Sequence, residues 1–209
     1  MEYANKSTKD KILQLLKKKV SLSVNELSDY LTITHMAVRK HLSSLERDGF
    51  ISSKEMKQPI GRPLQVYFLT EIGEKLFPKN YEGITIEFLH DLKELYGEEA
   101  VIGLFETREN RLTNEYSQKI KSESIPDKVK ELVDIQNEKG YMADMIQVDQ
   151  NTYKVIEHNC PILSVANQFK IACQCETQLL RNVLKTDNIE RTTCKTDGDH
   201  HCTFLISFP

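Results

Sequence analysis

Residues 23–50 read SVNELSDYLTITHMAVRKHLSSLERDGF, and this stretch decides the amino-terminal fold. Ser23 and Glu26 form the Ser-x-x-Glu capping box that starts a helix, and Leu27, Tyr30 and Leu31 follow at helical spacing. After a brief turn, Thr34 is placed to cap a second helix, because its hydroxyl can accept an otherwise orphaned backbone N–H. Val38, Leu42 and Leu45 make the buried stripe of that helix, and Gly49 supplies its stop. Two helices separated by so short a turn predict a helix-turn-helix.

The flanks extend the pattern. Upstream, TKDKILQLLKKK (8–19) sets Ile12, Leu13 and Leu16 on one helical face among lysines. Downstream, FISSKEMK (50–57) and LQVYFLT (64–70) read as strands around the turn residues QPIGRP (58–63). A hairpin directly after the second helix is a wing, so this region is expected to be a winged helix-turn-helix over residues 1–78. A helical linker and dimerisation region follows over 79–140, where EIGEKLF, TIEFLHDLKELYG, EEAVIGLFETRENRLTNEYSQKIK and DKVKELVDIQNEKG each carry helical periodicity. From 141 the pattern turns to strands, with one helix expected from about Pro161 to Lys185 and a hairpin around DGDH. The expected class is α+β, ending in a cysteine-containing α+β sensor domain over 141–209.

Charge divides along the same line. Residues 1–66 carry 12 Lys and Arg against 7 Asp and Glu, whereas the remainder carries 16 against 24. A basic first third on an acidic chain points to a polyanionic partner for that third alone. In a helix-turn-helix the second helix enters the major groove by its amino-terminal part. That surface carries Thr34, His35, Arg39, Lys40 and Ser43, with His35, Arg39 and Ser43 recurring away from the apolar stripe. Arg39 can donate two hydrogen bonds to a guanine edge, Lys40 and Arg47 suit phosphates, and Arg62 stands at the wing tip. Double-stranded operator DNA is the expected partner of a homodimer. The amino terminus lacks a secretory h-region and no apolar run is long enough to span a bilayer, so a cytoplasmic location is expected.

Five cysteines, Cys160, Cys173, Cys175, Cys194 and Cys202, crowd the last quarter, and residues 1–159 hold none. In a reducing compartment clustered thiols bind metal or do redox work more often than they form a disulfide framework. Residues two apart on a helix point about 200° apart, so Cys173 and Cys175 cannot face one site on an intact helix. An unbroken helix from Pro161 would hold Cys160 and Cys173 about 18–20 Å apart, so a shared site needs a bend or a later start. Paired Cys-x-x-Cys motifs typical of zinc are missing from the sequence, and the irregular spacing suits an iron–sulfur cluster better.

GRPLQVYFLTEIGEKLFPKNYEG (61–83), HNCPI (158–162) with Cys173 following Cys160 after twelve intervening residues, and the final DGDHHCTFLI resemble SufR, the iron–sulfur cluster biogenesis repressor family within the ArsR/DeoR-like winged-helix group. The resemblance implies a dimeric repressor with an oxygen-sensitive [4Fe-4S] cluster, and it assigns Cys160, Cys173 and Cys202 as ligands. The family's further cysteine falls by counting on Asp187, so Asp187, Cys194 and His200 are the candidates for the fourth position, with His158 or an external thiol beside them. Zinc binding and a thiol redox switch on the same winged-helix frame stay open. An enzyme built on Cys160 and His158 is not expected, since paired-carboxylate, phosphate-loop and nucleophile-elbow motifs are missing from the sequence.

Overall fold

The structure is a computed structural model that describes residues 7–59 and 61–209. Residues 1–6, where the lack of a leader was read, and Ile60 of the wing turn lie outside the described residues. The chain divides into two compact units at Lys79/Asn80, rather than into three.

In the first unit α1 (Thr8–Lys19) starts at Ser7, whose side chain accepts from the Asp10 N–H while Asp10 accepts from the Ser7 N–H. Then come β1 (Ser21–Ser23), α2 (Val24–Leu31), α3 (His35–Arg47), β2 (Ile51–Met56), β3 (Leu64–Leu69) and α4 (Glu71–Glu74). The three strands pair antiparallel in the order β1-β3-β2. Both expected caps are present: Ser23 with Glu26 in a reciprocal box, and Thr34 Oγ1 accepting from the Ala37 N–H at 3.3 Å. Ile12, Leu16, Leu27, Val38, Leu42, Leu45 and Ile51 fill the core. The expected helix over EIGEKLF is α-helical only through Glu74 and loosens into turns before Pro78. Gly73 has no room for a side chain, because a Cβ there would lie 2.0 Å from the Phe50 carbonyl oxygen.

The second unit holds α5 (Tyr81–Tyr96), α6 (Glu98–Lys119), α7 (Ile125–Glu138), β4 (Ala143–Gln147), β5 (Thr152–Glu157), α8 (Leu163–Gln168), α9 (Ile171–Leu184), β6 (Ile189–Thr193) and β7 (Cys202–Ser207). Its antiparallel sheet runs β4-β5-β7-β6. Leu112 and Tyr116 of α6 and Val129, Leu132 and Val133 of α7 pack in one core with Tyr153, Val155, Leu179, Leu180, Phe204 and Ile206. That shared core corrects the expected boundary at residue 140: α6 and α7 are one wall of the sensor unit, since their apolar stripes find their burial against its sheet and α9.

The single helix expected from Pro161 to Lys185 is also corrected. It is two helices broken at Phe169–Lys170, where Phe169 leaves helical geometry at φ −127° and ψ 88°. The break lets the Phe169 ring pack against His90 at 4.9 Å and Phe105 at 6.5 Å between ring centroids. No helix among the described residues is long and apolar enough to cross a membrane.

Candidate functional site

Two surfaces carry chemistry, one in each unit. On the first, Thr34, His35, Arg39, Lys40, Ser43 and Arg47 are all exposed along α3, and Arg62 is exposed beyond β2. The Thr34 hydroxyl is engaged as the helix cap. Met36, 78% exposed in the first turn of α3, belongs to the same face and was missed because methionine reads as core. The wing is tied to α3 by Ser53, whose hydroxyl donates to Glu46 Oε1 at 2.8 Å and accepts from Gln65 Nε2 at 3.2 Å. Burial holds the Tyr67 phenol above its usual range, with Glu46 acting the same way and Arg39 opposing it.

The second surface is a thiol cluster at one end of the sheet. Cys202 opens β7 opposite Glu157, Cys194 follows β6, and Cys173 lies in the first turn of α9. Cys173 Sγ and Cys194 Sγ are 4.0 Å apart. Cys202 Sγ accepts from the Lys195 N–H at 3.4 Å. Cys160 lies in the turn after β5, three residues beyond the Glu157–Cys202 pair and so at the same end of the sheet. The helix break sets Cys173 on α9, a separate helix from α8, so the about 18–20 Å separation of one unbroken helix does not apply to Cys160 and Cys173. Cys175 faces the other way, into a core of Val101, Phe105, Ala166, Phe169 and Ala172.

The fourth-ligand candidates separate by position. Cys194 is within the cluster. Asp187 is not: it precedes β6 at the end remote from Cys194, roughly 20 Å away along extended chain, and it is exposed. Counting along the sequence could not show that β6 lies between them. His200 is exposed, and its carbonyl rather than its ring is used, accepting from Lys195 Nζ at 2.9 Å. His158 is engaged with Asp144, Nε2 to Oδ2 at 3.0 Å. Among the described residues no three His, Cys, Asp or Glu side chains converge closely enough to hold a single metal ion.

Arg191 is the cluster's unforeseen member. Its guanidinium donates to Cys194 Sγ at 3.7 Å, to the Cys173 carbonyl and to the Thr177 hydroxyl, and it lies 5.1 Å over the Phe204 ring. Nothing in the local sequence marks it, because every one of these partners lies on another element or beyond the strand's end. Its charge shapes the thiols. Burial pushes Cys160 up to about 11 and Cys202 up to about 12, and burial also raises Cys173. Burial acts upward on Cys194 too, but hydrogen bonds from the Thr196 hydroxyl and backbone, with Arg191, outweigh it and hold that thiol below the usual range. Behind the cluster lies a buried polar layer. Glu157 accepts from Gln136 at 2.9 Å, while Glu176 accepts from Tyr141 at 2.9 Å and from Arg108 at 2.6 Å. Burial, then Glu176, raises the Glu157 carboxyl to about 8.

Against known proteins, residues 9–53 match the family model of the DeoR-like helix-turn-helix domain. A search among curated proteins found no match. Among solved structures the chain is similar to Bacillus subtilis PadR in complex with operator DNA, at 15% identity over 85% of this chain and 94% of that one, with a TM-score of 0.30. The first unit thus carries a DeoR-like helix-turn-helix, continued by a wing.

Proposed function

We propose that the chain is a dimeric winged-helix repressor that binds operator DNA and reports iron–sulfur status through a labile [4Fe-4S] cluster held by Cys160, Cys173, Cys194 and Cys202. The observation that carries the reading is the gathering of four cysteines, spread over 43 sequence positions, at one end of a sheet in a chain that also exposes a capped recognition helix. The donor set fits the group. A polynuclear core takes one thiolate at each corner iron, so its ligands need not converge on one centre as they must for zinc. When bound, such a cluster supplies sensitivity to oxygen and to iron supply.

The chain's own residues supply the rest. Arg191 offsets thiolate charge from inside the cluster, and Lys195 ties the end of β5 to the start of β7 by donating to the His158 and His200 carbonyls at 3.3 and 2.9 Å. On the DNA side, Arg39 and His35 are the base-reading candidates, with Lys40, Arg47 and Arg62 on phosphates. Regulation follows if the two ligation states differ in operator affinity, which is a coupling free energy between the sites.

A homodimer is supported by α5. This 16-residue helix buries no side chain fully, and Tyr81, Ile84, Phe88 and Leu95 recur on it at three-and-four spacing, with Phe88 64% exposed. A seam at that spacing pairs with another helix of the same repeat, which a second copy provides. Anaerobic reconstitution with iron and sulfide is the test. About four iron and four sulfide per chain are expected, together with tightened operator binding in gel shifts. A colourless product, or a Cys160→Ser chain that loads normally, defeats the cluster assignment.

A further inference from the structure

One pair stands apart within the thiol cluster. Cys173 Sγ and Cys194 Sγ are 4.0 Å apart, with Thr196 Oγ1 at 3.7 Å from the first and 3.2 Å from the second. Both line an open surface cavity of about 260 Å³, together with Lys170, Arg191, Thr193 and Thr196. Cys175 is turned into a separate apolar core, and Cys202 is held in β7 with its sulfur on the Lys195 N–H. We infer that Cys173 and Cys194 form a hydroperoxide-reactive dithiol that closes to a disulfide whenever the cluster is not in place.

This deepens the proposed function, since it concerns the same thiols, but the chemistry does not need the cluster. Cys194 is the attacking sulfur on geometry, because the Arg191 guanidinium at 3.7 Å and the Thr196 hydroxyl at 3.2 Å both reach it, two donors placed to hold a peroxide against that sulfur. The Cys194 thiolate attacks one peroxide oxygen, the O–O bond breaks, and the departing oxygen takes up a proton as water or alcohol. The product is a sulfenic acid on Cys194. Cys173 then attacks that sulfur and gives up its proton, the S–O bond breaks, and the oxygen leaves as water. Two thiols and one hydroperoxide thus become one disulfide, one alcohol or water, and a further water. Both sulfurs are oxidised and both peroxide oxygens reduced.

Closure asks the sulfurs to approach by about 2 Å from their 4.0 Å separation. The disulfide joins the first turn of α9 to the end of β6 and removes two of the four candidate ligands. An oxidised chain is therefore closed to cluster loading until a dithiol reduces it.

The test uses the full-length chain, purified anaerobically, stripped of metal and treated with one equivalent of hydrogen peroxide. Alkylation and peptide mapping then read the linkage. The expected product is a Cys173–Cys194 disulfide, unchanged by Cys175→Ser. Cys194→Ser is expected to consume peroxide at least about tenfold more slowly. Cys173→Ser is expected to stop at a dimedone-trappable sulfenic acid on Cys194, a readout that mere misfolding would not give. A dominant Cys194–Cys202 or Cys160–Cys173 linkage, over-oxidation without a disulfide, or an undiminished rate in Cys194→Ser overturns the proposal. Iron and sulfide loading of the reduced parent, run in parallel, separates the two readings. A chain that forms the disulfide but never loads sinks the cluster alone, and one that loads but never links these cysteines sinks the dithiol alone.

Discussion

Tyrosines aside, Ser23 is the one buried polar side chain among the described residues of the first unit, whereas the second unit buries Glu109, Gln136, Glu157, Glu176, Thr186 and Thr203. The first unit closes over Ile12, Leu16, Leu27, Val38, Leu42 and Leu45, and its polar work is local capping. The second carries a carboxyl–phenol layer on Glu157, Glu176, Tyr116 and Tyr141 and an Arg191–thiol group on Cys173 and Cys194, and leaves Tyr153 Oη, Arg181 Nε and Arg191 Nε without protein partners. An apolar core adds no charge state of its own to the stability. A core with titratable groups makes stability depend on charge state, which is what a sensing unit requires.

The largest effect expected on this contrast comes from Leu42→Ala. Leu42 is 1% exposed at the centre of the first unit's core. The truncation is expected to cost about 2–5 kcal/mol in chemical denaturation and to abolish operator binding. Peroxide-driven closure of the Cys173–Cys194 pair should survive it, and loss of that chemistry would mean that the two units do not fail separately.

Glu157→Gln probes the second unit. The carboxyl is raised from 4.5 to about 8, chiefly by burial, so the folded chain holds a proton that the unfolded chain releases. A raised value gives stability that is full below pH 4.5 and lost as pH climbs toward about 8. Metal-free protein is expected to lose stability over that window, with a slope on the order of 1 kcal/mol per pH unit, and Glu157→Gln to flatten it. An unchanged slope in the variant assigns the dependence to another group.

Arg39→Ala carries the comparison to DNA. It removes an exposed side chain from α3 and is expected to leave the melting temperature unchanged. Operator affinity should fall by about 1–3 kcal/mol, and Lys40→Ala should instead lower the salt dependence of binding. Gel shifts at two salt concentrations distinguish the two, and parent-like affinity in Arg39→Ala removes it from the contact surface.

The two units also differ in how far the sequence announces them. The capping boxes, the Val38-Leu42-Leu45 stripe and the wing are short-range signals, so α1 to α3 and the hairpin are legible residue by residue. β1 is not, because Ser21–Ser23 becomes a strand only by pairing with Val66–Phe68 more than forty positions away. The thiol cluster fails to read for the same reason at larger scale. At the break the Phe169 ring meets rings on α5 and α6, and Cys194, just after β6, meets Cys173 on α9, so each partner lies on an element distant in sequence. Helical spacing did place Cys173 and Cys175 on different sides of α9, since that inference needs one element alone.

Ser23→Ala is the smallest change and the one that sets the two units against each other on a pH axis. The Ser23 hydroxyl accepts from the Glu26 N–H at 3.3 Å, and Glu26 Oε2 accepts from the Ser23 N–H at 2.8 Å and from its hydroxyl at 2.7 Å. These bonds, the Ser23 side chain first and its backbone second, hold the Glu26 carboxyl below 4.5. A depressed value works opposite to Glu157: its stabilisation is present above pH 4.5 and is lost as pH falls through the folded value. Removing the hydroxyl is expected to cost about 1 kcal/mol at neutral pH and less in acid, where the carboxylate is protonated in either chain. Acid thus loosens the start of α2, while alkali loosens the layer behind the thiols. Melting followed by probes in each unit should show the first unit weakening toward low pH and the second toward high pH. A common pH dependence in both would mean that the buried carboxyl and the helix cap report to a single cooperative fold.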